Sequence, residues 1–419
     1  MDGRDVGDQV KLVVISDLHY RKHANDEVRP AAASRGGGGF DPVAAFAEML
    51  EKDGVKADYL ICPGDITDRA SREGLNSGWE KLNQIKNIIG ARHLIVATGN
   101  HEVCSRVMDD AHDRAGNAEA SVDPLGMLQE IPQYPSSIWN GQDRQWVYWG
   151  RGYEFISDGD ILFLLINSSH FHPTMKVNEF ERGRISDHAL RNLASDMQEH
   201  LKKAKPKVCI AILHHPPVSH EAQHHELGRI EMFNGGRLVD TFDKSGRPWL
   251  ILHGHKHDGR VVMAQGAGNH PIVFAAGSIG ADLQGHQASL HTKLQGYVLT
   301  IEVPENRLPS LRGTIDAYAW IENSWSHATS TKHGIPHGCG FASPLINVNA
   351  AAESLKEAAK KKGGEYLNLA EIYEEVPEFK YMMPGQVEVF RSAVEHLGGT
   401  FTWIDQCSYP ADVTFEVRE

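Results

Sequence analysis

The sequence predicts an α/β (α+β) protein built from two mixed sheets that are flanked by helices. Two observations carry this prediction. Short apolar runs of strand length alternate with helical segments in the first hundred residues, and further strand-like runs follow beyond residue 160. In addition, several predicted strands end directly at carboxylate, amide or imidazole side chains, which is where α/β sheets present ligand-binding groups.

The first hundred residues predict two β-α-β steps. The predicted strands lie at residues 10–15, 59–62 and 93–98. Asp41 provides an N-cap and Pro42 a first-turn residue for a helix that extends to about Lys52. A second helix follows around residues 79–89, where apolar residues share one face. Such steps imply parallel strands joined by helical crossovers.

The middle of the chain predicts an irregular insertion and more strands. Residues 103–152 carry prolines and several aromatic residues, and we interpret them as an insertion whose aromatic side chains pack on the domain. An aromatic wall for a flat substrate group is the alternative. A helix is predicted at residues 186–205 and strands at 161–166, 208–213, 249–252, 261–263, 271–275, 297–303 and 314–321. The last four strands are expected to form a second sheet that packs face to face on the first.

The domain organisation follows from these elements. We expect a core domain at residues 1–325 and a C-terminal accessory region at residues 326–419. Residues 324–349 are rich in Gly, His, Ser and Pro, which favours a linker or an ordered loop. Two helical segments and two short strands follow, so the C-terminal region is predicted to be a small α/β extension. The sequence does not indicate its role.

Five short segments supply side chains that can bind metal ions. They are Asp17-Leu18-His19, Gly64-Asp65-Ile66-Thr67-Asp68, Gly99-Asn100-His101-Glu102, His214-His215-Pro216 and Gly254-His255-Lys256-His257. Seven candidate ligands are too many for one tetrahedral zinc ion. They suit two ions that share a carboxylate, the arrangement used for in-line displacement at phosphorus. The sequence therefore favours a phosphoester hydrolase.

In this order, the five segments resemble the motifs of the calcineurin-like metallophosphoesterase superfamily, from residue 17 to residue 257. The resemblance implies a four-layer α/β/β/α sandwich and a centre of two metal ions. It assigns one ion to Asp17, His19, Asp65 and His257, and the other ion to Asp65, Asn100, His214 and His255. Asp65 would be the carboxylate that both ions share.

The donor types limit the choice of metal. Oxygen atoms mixed with imidazole nitrogens suit Mn²⁺, Fe or Zn²⁺ better than Ca²⁺ or Mg²⁺, so we expect two transition-metal ions, with Mn²⁺ as the first candidate. Two such cations about 3.5–4 Å apart lower the pKa of a shared water towards ~7. The resulting hydroxide would attack phosphorus.

Four further residues receive expected roles in catalysis or substrate binding. The resemblance implies that His101 gives a proton to the leaving oxygen, a task that suits an imidazole near neutral pH. Asp68 is expected to orient that ring, and Arg69 to bind a phosphate oxygen. Because neighbouring residues of an extended segment point to opposite sides, His215 is expected to line the substrate pocket while His214 binds the ion.

The motifs also separate branches of the superfamily. Gly-His-x-His at residues 254–257 and His-His-Pro-Pro at residues 214–217 look like those of phosphodiesterases related to bacterial cyclic-nucleotide and glycerophosphodiester enzymes. Arg69 and Glu102 resemble the protein serine/threonine phosphatases, but Ala70 replaces the glycine of that branch. A phosphodiesterase is therefore expected. A phosphomonoesterase, a DNA nuclease of the SbcD and Mre11 type that works with a partner, and a metal-binding scaffold are the alternatives.

The composition bears on location and partners. The 419 residues carry a formal net charge of −13, which disfavours general binding of duplex nucleic acid because such binding depends on Lys and Arg. Five cysteines without close pairing predict free thiols in a reducing cytoplasm, and no apolar run predicts a membrane span. The expected partner is a phosphoester substrate. A nucleotide or nucleic acid as that substrate, and a protein bound by the C-terminal region, are open alternatives.

Overall fold

A computed structural model describes eighteen strands and nine α-helices over most of the chain. The described residues are 9–23, 25–34, 40–103, 125–139, 142–172, 182–219, 231–264, 269–283, 293–305, 309–362, 366–403 and 410–415. The strands are β1 Gln9–Val14, β2 Tyr20–Lys22, β3 Val28–Pro30, β4 Tyr59–Cys62, β5 His93–Val96, β6 Tyr153–Asp158, β7 Ile161–Ile166, β8 Val208–Ile212, β9 Leu250–His253, β10 Arg260–Met263, β11 Ile272–Ala275, β12 Gln295–Glu302, β13 Leu311–Ile321, β14 Ser324–His327, β15 Cys339–Ser343, β16 Tyr366–Asn368, β17 Gly399–Trp403 and β18 Pro410–Phe415. The helices are α1 Pro42–Lys52, α2 Arg72–Ile88, α3 Gly126–Gln129, α4 Gln142–Arg151, α5 Asp187–Ala204, α6 Gly235–Asp243, α7 Val348–Lys361, α8 Leu369–Glu375 and α9 Pro384–His396.

The first sheet has the strand order β14-β13-β12-β1-β4-β5, and β15 also pairs with β13. Its strands β1, β4 and β5 are parallel, as the β-α-β steps predicted. The intervening helices begin at side-chain caps, because Asp41 accepts the Ala44 N–H and Ser71 accepts the Gly74 N–H. The carboxyl ends of β1, β4 and β5 therefore lie together at one edge.

The second sheet has the order β10-β11-β9-β8-β7-β6, in which β7, β8, β9 and β11 are parallel. Alternate side chains of β8 face opposite layers. Ile210 and Ile212 belong to the hydrophobic cluster shared with the first sheet, whereas Cys209 and Ala211 pack with the apolar faces of α5 and α6. With α1 and α2 on the first sheet, this arrangement confirms the four-layer α/β/β/α sandwich.

The expected membership of the second sheet was wrong for two strands. Residues 297–303 and 314–321 belong to β12 and β13, which lie in the first sheet. β12 pairs antiparallel with the whole of β1, from Gln9 opposite Glu302 to Val14 opposite Tyr297. It thereby covers the edge of β1 that β4 leaves open. The sheet to which β12 belongs is therefore decided by its pairing with the distant β1 and not by its nearness to β11 in the sequence.

The segment 324–349 is more regular than a linker. Its strands β14 and β15 both pair with β13, so the first sheet continues beyond residue 325. After it, α7 and α9 pack together beside a three-stranded sheet of order β16-β18-β17. Their apolar side chains continue the main hydrophobic cluster, for example at Leu355 and Phe390. The division at residue 325 stays a proposal, and it would cut through β14.

The helix α4 corrects the interpretation of residues 103–152 as an irregular insertion. Residues 142–151, inside the predicted insertion, form α4, and Tyr148 and Trp149 of this helix are buried against the domain. Trp146 is 54% exposed. The insertion's residues 104–124 lie outside the described part of the chain. Within the described part, no helix has the length and apolar character needed to cross a membrane.

Candidate metal centre

The five ligand-bearing segments follow five strands at their carboxyl ends. In the first sheet, β1, β4 and β5 lead to Asp17, Asp65 and Asn100. In the second sheet, β8 and β9 lead to His214 and His255. The backbone N–H of His255 donates to the Asp17 carboxylate at 3.1 Å, which ties the two sheet edges together. The candidate centre therefore lies where both sheets end.

Five of the seven predicted ligand residues adopt a left-handed backbone conformation. Their φ angles lie between 49° and 78°, at Asp17, His19, Asp65, His255 and His257. Residues other than glycine rarely adopt positive φ, and such strain is typical of functional sites where surrounding contacts enforce it. Those contacts are close, because a Cβ on Gly254 would clash with Asp17 Oδ2 and a Cβ on Gly99 would clash with Asp65 Oδ1. Glycine is required at both positions.

One donor cluster combines Asp17, His19 and His257. His257 Nε2 lies 3.3 Å from Asp17 Oδ1 and 3.1 Å from His19 Nε2. His19 Nε2 is 3.8 Å from the same Asp17 oxygen. Three donor atoms that converge in this way can hold one ion.

A second donor cluster combines Asn100, His214 and His255. Asn100 Oδ1 lies 3.1 Å from His214 Nε2 and 3.0 Å from His255 Nδ1, and these two nitrogen atoms are 3.2 Å apart. His214 Nδ1 lies 3.0 Å from the Pro63 carbonyl oxygen, to which it donates when Nε2 faces the cluster. This bond orients the ring as outer contacts of metal-binding histidines do.

Asp65 faces both clusters through one oxygen. Its Oδ2 lies 3.1 Å from His214 Nε2 and 3.8 Å from His19 Nε2. Its Oδ1 accepts the backbone N–H of His101 at 2.9 Å, which fixes the carboxylate plane. A carboxylate held between two donor clusters has the position of a shared ligand.

The donor spacings fit donor atoms that share a small metal cation. Two donor atoms at about 2.1 Å from a common ion are about 3.0 Å apart at an octahedral angle and about 3.4 Å apart at a tetrahedral one. The contacts of 3.0–3.3 Å within the clusters have that spacing. Two imidazole nitrogens at 3.1 Å also repel each other unless a proton or a cation lies between them. The residues therefore fit a pair of cations.

The carboxylates of the centre attract positive charge strongly. Burial alone would lower the pKa of His19, but the nearby carboxylates of Asp17 and Asp68, at 3.8 and 3.9 Å, outweigh it and raise the value to about 10. Burial likewise opposes the effect of Asp65 on His214, whose pKa rises to about 9. The pKa of Asp65 falls to about 2 despite its burial, mainly because of the His214 charge. Without a metal ion, protonated histidines balance the negative charge of these carboxylates. Metal binding should therefore release protons.

His215 lies deeper than a residue that lines an open pocket. It is fully buried, its Nδ1 is 2.8 Å from the Ser168 hydroxyl, and its ring centroid is 4.5 Å from that of His255. The strand β8 ends at Ile212, so the alternation argument that separated His215 from His214 does not apply. Burial first, and then the charge of His214, hold the pKa of His215 well below its ordinary value. Its neutral ring stands beside the second cluster.

His101 and Asp68 form a pair at the side of the centre. His101 Nδ1 lies 2.9 Å from Asp68 Oδ1 and also 3.1 Å from the Arg69 N–H. Both contacts cannot be hydrogen bonds at once, and the shorter, charge-assisted one places the proton on Nδ1 with Asp68 as acceptor. The His101 side chain is 19% exposed, whereas the Asp68 side chain is 9% exposed. Arg69 extends an exposed side chain beside this pair.

Glu102 and Ser168 support the centre, although sequence reasoning gave neither a place in it. The Glu102 carboxylate accepts four backbone N–H groups, from Asp65, Ile66, Thr67 and Gly99. The Ser168 hydroxyl accepts the backbone N–H groups of both His214 and His215. Ser168 follows β7 at its carboxyl end, so the strand-end signal that marked the ligands also marked this residue.

The fold and the site define a metallophosphoesterase. The family model for calcineurin-like phosphoesterases matches residues 10–259, and the chain belongs to that family. The match contains all five ligand-bearing segments. With the two donor clusters, it points to a metal-dependent phosphoester hydrolase with a dinuclear centre. No curated protein sequence compared with the chain matches it.

Solved structures that are similar to this chain include a purple acid phosphatase and PhoD. The purple acid phosphatase PPD1 of yellow lupin (Lupinus luteus) is 16% identical, with coverage of 73% of this chain and 51% of that one and a TM-score of 0.45. This chain thus spans about half of the lupin protein. PhoD is 11% identical, with coverage of 82% and 70% and a TM-score of 0.50, and this match supports the fold alone.

Proposed function

We propose that this protein is a dinuclear metal-dependent phosphodiesterase. The observation that carries the proposal is the position of Asp65 Oδ2, which faces both donor clusters at the shared edge of the two sheets. Asp17, His19 and His257 would hold one ion with Asp65. The other ion would be held by Asp65 with Asn100, His214 and His255.

Mn²⁺ is the first candidate for both positions, with Fe and Zn²⁺ as alternatives, because imidazole and oxygen donors are mixed. When bound, the two ions supply an activated water and neutralise charge on the phosphate. Residues of the chain position the ions and deliver the proton. Asp65 would link the two sites, and its burial together with that of Asn100 limits the movement of both side chains.

His101 would deliver the proton to the leaving oxygen. With Nδ1 bonded to Asp68, the Nε2 side of the ring is the side that donates. Asp68 also accepts from Arg21 at 3.0 Å, which holds the carboxylate in place. Arg69, exposed next to this pair, would bind a phosphate oxygen of the substrate.

The choice of a diester over a monoester rests on the last ligand-bearing segment. The Gly-His-x-His block supplies His255 and His257 from one short segment, which is typical of the phosphodiesterase branch that the sequence resembles. The Asp68 carboxylate does not discriminate between the two substrates, because His101 and Arg21 pair with it.

The location and the other partners belong to the same proposal. Cys62 and Cys209 are buried free thiols within strands, which supports a reducing cytoplasm. The net charge of −13 does not favour a nuclease, and no contact of the described C-terminal region identifies a protein partner. A small phosphodiester is therefore the proposed substrate.

We expect Mn²⁺-dependent hydrolysis of bis(4-nitrophenyl) phosphate to exceed that of 4-nitrophenyl phosphate by at least about tenfold in kcat/KM, a difference of ~1.4 kcal/mol. Steady-state kinetics with added and chelated Mn²⁺ measure it. Asn100→Ala should abolish both activities. Asn83→Ala is the matched control, because the Asn83 amide donates to the Trp79 carbonyl oxygen of its own helix, away from the candidate ligands. A preference for the monoester would move the protein to the phosphatase branch.

We expect His101→Ala to retain its metals but to lose about 10²–10⁴-fold in kcat for esters with poor leaving groups, because proton donation matters most there. For 4-nitrophenolate, which leaves without a proton, the loss should be much smaller. A series of aryl methyl phosphates of graded leaving-group pKa measures the difference. His396→Ala, at an exposed helix end, is the control. Equal losses across the series would contradict the donor role.

A further inference from the structure

The loop between β14 and β15, residues 328–338, belongs to the C-terminal region for which the sequence indicates no role. Its two ends are fixed to the first sheet, because the N–H groups of Ala328 and Gly338 each donate to a carbonyl oxygen of β13 at 2.9 Å. Between these ends, Ile335 is buried. Loops usually run over the surface because a buried backbone needs partners for its polar groups. The partner of Ile335 therefore shows what this loop supports.

The backbone of Ile335 pairs with the side chain of Gln295, the first residue of β12. Gln295 Nε2 donates to the Ile335 carbonyl oxygen at 2.9 Å, and Gln295 Oε1 accepts the Ile335 N–H at 3.0 Å. The same Oε1 accepts the Tyr297 hydroxyl at 2.9 Å, and this hydroxyl in turn accepts the Gly277 N–H at 2.8 Å. Gln295 and Tyr297 are fully buried. A buried network in which these groups are paired holds its members rigidly.

This network lies against the segment that carries His257. Gly259 follows His257 by two residues, and a Cβ on Gly259 would clash with Gln295 Oε1 and with the Tyr297 hydroxyl oxygen. His257 has a left-handed backbone, with φ of 56°. Such a conformation persists only where surrounding contacts enforce it. Gln295 and Tyr297 provide contacts of this kind.

The network also reaches Asp17. Gly277, which donates to Tyr297, directly precedes Ser278, and the Ser278 carbonyl oxygen accepts the Gln295 N–H at 2.9 Å. The Ser278 hydroxyl donates to the Asp17 carbonyl oxygen at 2.7 Å. Asp17 likewise has a left-handed backbone, with φ of 56°. Gln295 therefore supports two of the three residues in the donor cluster of Asp17, His19 and His257.

We propose that Gln295 is a positioning residue through which the loop of the C-terminal region holds this donor cluster in place. The role rests on the proposed dinuclear function and makes the C-terminal region part of it. The cluster of Asn100, His214 and His255 has supports of its own. The Pro63 carbonyl oxygen orients His214, and the Glu102 carboxylate accepts the Gly99 N–H. Loss of the Gln295 amide should therefore weaken one metal site selectively.

Gln295→Leu tests this role, because leucine has a similar volume but makes no hydrogen bond with Ile335 or Tyr297. We expect the ion at the Asp17 cluster to bind about 10–100-fold more weakly, whereas the affinity at the Asn100 cluster should not change. Competition between the protein and a chelator for Co²⁺ measures both affinities. The absorption spectra of the Co²⁺ forms of His19→Ala and Asn100→Ala identify the two sites. If Gln295→Leu does not fold, Tyr297→Phe should weaken the same ion to a smaller extent.

Gln386→Leu is the matched control. Gln386 also lies in the C-terminal region, and its amide contacts backbone groups of Ile346 and Met383, away from the candidate ligands. This variant should keep both affinities. Equal weakening of both ions in Gln295→Leu, or no weakening of either ion, would overturn the positioning role and leave the dinuclear function standing. Fewer than two bound Co²⁺ ions in the unaltered protein would contradict the dinuclear function itself.

Discussion

Asp65→Asn is expected to lower kcat/KM for a phosphodiester by more than about a hundredfold and to release at least one metal ion per chain. Changes to groups outside the ligand shell typically cost about 10–100-fold in metal affinity or activity, and Asp65 should exceed this because it faces both donor clusters. Asparagine keeps the shape and an oxygen but loses the negative charge that attracts two cations. Elemental analysis of the purified variant and steady-state kinetics measure the two effects.

The control is a surface aspartate. Asp160→Asn removes an ion pair with Lys207 in which both side chains are about one-third exposed, and such pairs contribute about 0–1 kcal/mol. It should retain both metals and full activity. If Asp65→Asn also retained two ions per chain and turned over substrate like the unaltered protein, Asp65 would not be the shared ligand.

Much of the candidate centre was predictable because its signals are local. Each ligand-bearing segment follows a short apolar run, and the carboxyl ends of parallel strands meet at one edge of a sheet. Asp17, Asp65 and Asn100 thus converge by topology alone. That the second sheet would deliver His214 and His255 to the same place required the packing of two sheets, which no local pattern encodes.

The parts of the fold that were not predicted depend on long-range pairing or weak capping. Periodicity identified the strand that became β12 but not its partner β1, nearly 300 residues away. The helix α6 begins with two glycines after Asn234, which has φ of 63° and makes no side-chain cap. Asn234 is a usual N-cap residue type, but the two glycines that follow it disfavour a helix, so the start of α6 was not predicted.

The role of Glu102 in supporting the centre also depends on contacts between distant parts of the sequence, so it was not predicted. The sequence shows Glu102 at the end of a ligand-bearing segment, but not that its carboxylate accepts backbone N–H groups about 36 residues earlier in the chain. Nor does it show that Asp65 needs a left-handed backbone, at φ of 53°. Both facts arise from the crowding of three loops at one sheet edge.

Glu102→Gln is expected to lower the free energy of unfolding by about 3 kcal/mol and to weaken metal binding by about 10–100-fold. The carboxylate uses each oxygen for two backbone donors: Oε2 accepts from Asp65 and Gly99, and Oε1 accepts from Ile66 and Thr67. In either orientation, glutamine turns an N–H₂ group towards two buried N–H donors. Each buried donor left without an acceptor costs about 1–3 kcal/mol.

The effect on metal binding tests whether Glu102 positions the ligands or only stabilises the fold. The N–H groups that Glu102 holds belong to the turn of Asp65 and to Gly99, which precedes Asn100, so both ligands lose their support together. Urea denaturation measures the first effect, and competition with a chelator at low urea measures the second. Glu130→Gln removes an exposed partner of Arg72 and should change neither quantity by more than about 0.5 kcal/mol. Unaltered metal affinity in a destabilised Glu102→Gln protein would show that Glu102 supports the fold without positioning the ligands.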